Sequence, residues 1–176
     1  MPSLVIHLAI AKRYTELHPD KISNLSDFRK GSIAPDLSKD FSRMLSKPEK
    51  KTTHYHFKPE ENAVDFEMFK RDERVNLLDD YWKGYYAHLL ADHLFYTSVF
   101  KQEVEQAARN NADLYNDFTI MTSQIIEDFH PKLDIAYVTD AVKQCLAIKH
   151  EECKYLDYAK VHDFIEKMVS VIDQAI

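Results

Sequence analysis

Glycine occurs only twice in this 176-residue chain, at Gly31 and Gly84, and that scarcity constrains the fold more than any other feature. Sheets of short strands need tight reversals, and the turns that make them draw heavily on glycine. Six prolines supply little further turn chemistry. What remains is a succession of segments with apolar residues at helical spacing. The reading is therefore all-α, a single-domain helical bundle over residues 1–176, a length sufficient to bury a full core.

Ser3 is the expected N-cap of a first helix running to about Leu17, with Leu4, His7, Leu8, Ala11 and Tyr14 on its inward stripe. HPDKISNLSDF leads into a short helix, and RKGSIAPDLSKD reads as a loop of preset geometry. Phe41 to Pro59 has no clear period and reads as an irregular segment. ENAVDFEMFKRDERVNLL is expected to be an amphipathic helix, and DDYWKGYYAHLLADHLFYTSVFKQEVEQAARN one long helix that organises the fold. A further helix ends at His130-Pro131, because proline disfavours helix at the residue before it. YVTDAVKQCLAIKHEEC and KYLDYAKVHDFIEKMVSVIDQAI supply two more.

A net charge of −6 argues against a partner bound through its phosphate backbone, so no nucleic acid is expected. No stretch approaches the roughly 20 apolar residues that span a bilayer. The N-terminal run lacks the features of a signal peptide. Cys145 and Cys153 suggest neither a disulfide scaffold nor a metal knuckle, so the expected compartment is the reducing cytoplasm. Oligomeric state has no signature here.

The nine histidines are unequal in context. His18, His150 and His162 neighbour charged residues and read as surface groups, whereas His7, His54, His56 and His88 fall in apolar or aromatic settings. His88 and Asp92 stand four apart on one helix, where an imidazole and a carboxylate meet on one face. Such a pair serves a cation or simply satisfies itself. Neutral imidazole and carboxylate are usual zinc ligands, so His7, Asp36 and His54 are candidates to join them. Gly84, one turn before His88, allows close approach of another backbone or a ligand. Tyr81, Trp82, Tyr85, Tyr86, Phe95 and Tyr96 read first as core, with the lining of a lipid or base pocket as the alternative, and Lys47, Lys50, Lys51 and Lys58 as a solvated loop before a hold on a substrate phosphate.

PSLVIHLAIA, GSIAPDL, KKTTHYHF and GYYAHLLADHLF together resemble, in order, the histidine and aspartate motifs of the bacterial zinc-dependent phospholipase C family. That family shares its all-helical fold with single-strand-specific zinc nucleases. The resemblance covers roughly the first hundred residues and implies His7 on one metal, Asp36, His54 and His88 on a neighbouring one, and Asp92 bridging them. His56 is the alternative to His54, since THY and YHF both offer a histidine beside an aromatic residue. Downstream of the HxxxD pair, the family's next histidine is absent: Tyr96 and Ser98 follow instead. Asp117, His130 and Asp134 are the candidates for any further site.

The resemblance implies a hydrolase of a phosphate ester, of phospholipase C or phosphodiesterase type. It would use water activated by one or two zinc ions or another divalent transition metal, with Asp36 accepting a proton. The alternative is a helical module of the same fold that binds metal or ligand without efficient turnover. Whether the substrate is a phospholipid or a small phosphate ester is not written in the sequence.

Overall fold

The computed structural model describes residues 3–37, 53–55, 63–107, 111–134, 136–147 and 152–176. They form α1 (Leu4–Leu17), α2 (Leu25–Gly31), a 3₁₀ turn (Ala34–Asp36), α3 (Phe66–Arg71), α4 (Asp80–Leu94), a π turn (Phe95–Val99), α5 (Lys101–Ala107), α6 (Asn111–Phe129), α7 (Ala136–Leu146) and α8 (Tyr158–Ala175). Among the described residues there is no sheet, and the all-α expectation holds.

Aspartate or asparagine starts four of these helices. Asn24, Asp65, Asp79 and Asp157 each accept a backbone N–H of the first turn, satisfying donors that have no partner within the helix. Ser3 occupies the N-cap of α1, as expected, but its hydroxyl makes no cap bond; its carbonyl accepts Ile6 N–H and His7 N–H instead. α6 stops at Phe129, and His130 follows with φ 46° ahead of Pro131.

Two expectations need correction. Among the described residues of ENAVDFEMFKRDERVNLL, α-helix runs only from Phe66 to Arg71, because Asp72 caps the chain out of helix and its carboxylate accepts the Arg74 N–H two residues on. The long organising helix is interrupted. A π turn follows Leu94, where the Phe100 N–H bonds the Phe95 carbonyl, and α5 begins afresh. That offset seats Phe95 and Phe100 against each other, ring centroids 4.3 Å apart, and both on Phe164 of α8.

α1 and α4 are the inner helices. α1 is buried at every position from Val5 to Ala11 and packs on α6 and α8. α4 has apolar residues on two sides. Ala87 and Ala91 join the main core with Ile6 and Ile10 of α1, Phe118, Met121 and Ile125 of α6, and Ile165, Met168 and Ile172 of α8. Tyr81, Trp82, Tyr85, Tyr86 and Leu89 build a second, aromatic cluster around Phe69 and Tyr55. The expectation that these aromatics are core is met. His162, expected at the surface, is half-buried with its ring 4.8 Å from that of Phe129. His150 and the four loop lysines lie outside the described residues.

Candidate metal centre

The two glycines meet. α2 crosses α4 so closely that a Cβ on Gly31 would stand 1.9 Å from the Tyr81 carbonyl oxygen, and one on Gly84 2.0 Å from that of Phe28. No other residue type fits either position without moving a backbone. The expected close approach at Gly84 is therefore to α2. It brings the residue after α2, Ser32, against His88: the imidazole Nδ1 and the Ser32 carbonyl are 2.9 Å apart. A carbonyl only accepts, so Nδ1 carries the proton and, in neutral His88, Nε2 keeps its lone pair.

That lone pair points into a cluster drawn from four elements. His7 of α1 stacks on His88, centroids 3.8 Å apart and planes 16° from parallel. Its Nε2 lies 3.3 Å from Asp92 Oδ1, and neither atom is in a hydrogen bond. The other oxygen, Asp92 Oδ2, is 3.5 Å from His54 Nε2 and 3.7 Å from His88 Nε2. His54, in the turn that follows helical Thr53, sets Nε2 3.3 Å from both His88 Nε2 and Asp36 Oδ1. Asp36 comes from the 3₁₀ turn after α2.

All five groups lie inside. His7, His54, His88 and Asp92 are at most 2 % exposed, and the Asp36 side chain is 7 % exposed. Burial, aided by neighbouring His7, pushes the His88 pKa down to about 3, so the ring is neutral at pH 7. Burial also opposes charge on Asp36 and Asp92, but contacts with His54 on Asp36 and with His7 on Asp92 act the other way, and both carboxyls lie below the ordinary range. Two buried carboxylates and the lone pair of a neutral imidazole thus share one cluster, an arrangement able to hold a cation.

The spacing suits one. Bonds of about 2.0–2.2 Å to zinc put tetrahedral ligand atoms roughly 3.3–3.6 Å apart, close to the 3.3–3.7 Å found here. Two overlapping sets are able to hold an ion, His7 with His88 and Asp92, and Asp36 with His54 and His88. The expected ligands His7, Asp36, His54, His88 and Asp92 therefore converge; His56 lies outside the described residues.

The downstream candidates do not join them. Asp117 is fully buried, but its carboxylate accepts the N–H groups of Lys154, Tyr155 and Leu156, which makes it the anchor of the loop before α8. Asp134 pairs with Arg29. It lines a groove of about 810 Å³ between α1, α2 and the His130–Asp134 segment. His130 is exposed on the same groove. His93 turns away from the cluster, its ring 5.3 Å from that of Phe66.

Three contributors escaped the sequence reading: the Ser32 carbonyl, the Thr53 hydroxyl 2.9 Å from His54 Nδ1, and the Tyr85 hydroxyl, which donates to the Thr53 carbonyl at 2.6 Å. Ser32 acts through its backbone and leaves no sequence signal. Thr53 stands beside a candidate histidine, and Tyr85 reads from sequence only as a core aromatic.

Comparison with protein-family models, with curated proteins and with solved structures gives no match to this chain.

Proposed function

We propose that this cluster holds one or two divalent cations, zinc foremost, and that the protein is a metal-dependent hydrolase of a phosphate ester. The observation that carries the metal-binding reading is the convergence of the His88 Nε2 lone pair on Asp92, and of His54 Nε2 on both Asp36 and Asp92, at spacings of 3.3–3.7 Å that suit ligands of one ion. His7, His88 and Asp92 form one donor set, and Asp36, His54 and His88 the other. Asp92 offers a separate oxygen to each side. The phosphate-ester class rests on the resemblance of the ordered motifs to the zinc-dependent phospholipase C family.

A zinc ion held by these residues would lower the pKa of a bound water and stabilise charge on phosphoryl oxygens. The chain's own part is positional. His88 is held by the Ser32 carbonyl, and His7 is stacked on His88. Asp36 is the more exposed of the two carboxylates, which suits it to reach the attacking nucleophile and take its proton. Among the described residues no helix is long and apolar enough to cross a membrane. The free thiols of Cys145 and Cys153 suit the cytoplasmic setting we propose.

A second reading, a metal-binding module without turnover, draws on the burial of His7, His54, His88 and Asp92, since a catalytic ion needs an open position. The test is elemental analysis of protein purified without chelator or metal-affinity tag, followed by assay on a chromogenic phosphodiester. At least one equivalent of zinc and chelator-sensitive hydrolysis are expected. Metal without hydrolysis selects the second reading, and no metal rejects both.

A further inference from the structure

We infer that Thr53 is a positioning residue for His54, with Tyr85 holding Thr53 in place; the inference rests on the metal-binding reading above. His88 and Asp92 stand on a long buried helix, whereas His54 lies with Tyr55 in a turn directly after helical Thr53 and is restrained in another way. The restraint comes from several sides. Tyr85, fully buried on α4, donates its hydroxyl to the Thr53 carbonyl at 2.6 Å. The Asp65 N–H donates to the Tyr55 carbonyl at 2.7 Å, and the Tyr55 hydroxyl to Asp72 at 2.7 Å. Between these ties Tyr55 takes φ 50°, a left-handed conformation that bulky residues rarely adopt.

Within that frame Thr53 Oγ1 lies 2.9 Å from His54 Nδ1, both residues no more than 2 % exposed. A hydroxyl either donates or accepts. When His54 Nε2 gives its lone pair to a cation, Nδ1 carries the ring proton, and Thr53 is the acceptor that fixes the ring's rotation. His88 has a carbonyl in this role and His54 a hydroxyl, so only the second partner is removable by a side-chain substitution.

The experiment compares Thr53→Val, which removes the hydroxyl at nearly constant shape, with Thr53→Ser, which keeps it, and with Tyr85→Phe, which loosens the turn from a distance. Zinc affinity is measured by competition with a chromophoric chelator, the thermal midpoint on metal-free protein, and the His54 ring nitrogens by long-range ¹H–¹⁵N spectra of the zinc-loaded form. Thr53→Val is expected to weaken zinc binding about 10–100-fold, Tyr85→Phe to weaken it less, and Thr53→Ser to restore it. The loaded wild type should show a proton on Nδ1 of His54. Equal affinity in wild type and Thr53→Val overturns the positioning role alone, as does an unprotonated Nδ1 or equal loss in the Ser and Val variants. If Thr53→Val does not fold, unchanged affinity in Tyr85→Phe with loss in Thr53→Ser overturns it. A wild type that takes up no zinc overturns the metal reading, and this one with it.

Discussion

His88 donates its Nδ1–H to the Ser32 carbonyl and keeps Nε2 for the cluster, while Asp92, one helical turn on, presents Oδ1 to His7 and Oδ2 to His54 and His88. Asp92→Asn keeps the shape, removes one negative charge and turns one ligand oxygen into an N–H donor. Since the two oxygens face the two donor sets, calorimetric titration of the variant should show weaker zinc binding throughout, with any second equivalent lost first. A loss confined to one of two wild-type equivalents would make Asp92 an ordinary ligand of one ion. Asp80 carries a different expectation, for pH. Burial acts to raise its pKa, but Lys83 Nζ at 2.7 Å and the Asn24 N–H at 2.6 Å outweigh it, so the folded pKa is depressed. A carboxyl depressed on folding stabilises above its unfolded pKa of about 3.9 and loses that contribution as pH falls through the folded value. In urea unfolding, Asp80→Asn should cost stability at pH 7, and its gap from wild type should narrow below about pH 4. A gap that is constant with pH would remove the ionic role.

The α2–α4 crossing is the element on which the centre depends, because it delivers both Ser32 and the 3₁₀ turn that bears Asp36. Gly84→Ala places a methyl 2.0 Å from the Phe28 carbonyl oxygen, where only backbone movement relieves the overlap. A cost of about 3 kcal/mol, the upper part of the usual overpacking range, is expected in denaturant unfolding. Zinc affinity should fall in the same variant as Ser32 shifts from His88. Stability near wild type would show that the helices separate easily. The helices themselves were readable from their 3.6-residue spacing, and Asp-rich starts mark several of them. The π turn was not readable, since FYTSV carries neither proline nor glycine and its offset is dictated by where Phe95 and Phe100 find room against Phe164.

At the scale of the whole molecule, the centre lies where α1, α4 and the chain following α2 meet, and its ligands come from positions as far apart as 7 and 92. His7, His88 and Asp92 were legible as ionisable residues on apolar helical stripes, whereas His54 showed by its aromatic setting and Asp36 by its place in the ordered motifs. Their partners were not. A backbone carbonyl has no sequence signature, and a tyrosine hydroxyl that reaches a turn is indistinguishable from one that reaches water. Asp117 shows the converse, a buried carboxylate that reads as a possible ligand yet anchors the loop before α8 through three backbone N–H groups. The central claim is that the five converging side chains hold a divalent cation, and anomalous X-ray diffraction recorded on both sides of the zinc edge, from crystals grown with zinc and without chelator, tests it most directly. The account predicts one or two anomalous peaks enclosed by His7, Asp36, His54, His88 and Asp92. A well-ordered cluster with no peak among those residues, or zinc found only at surface carboxylates, would contradict it.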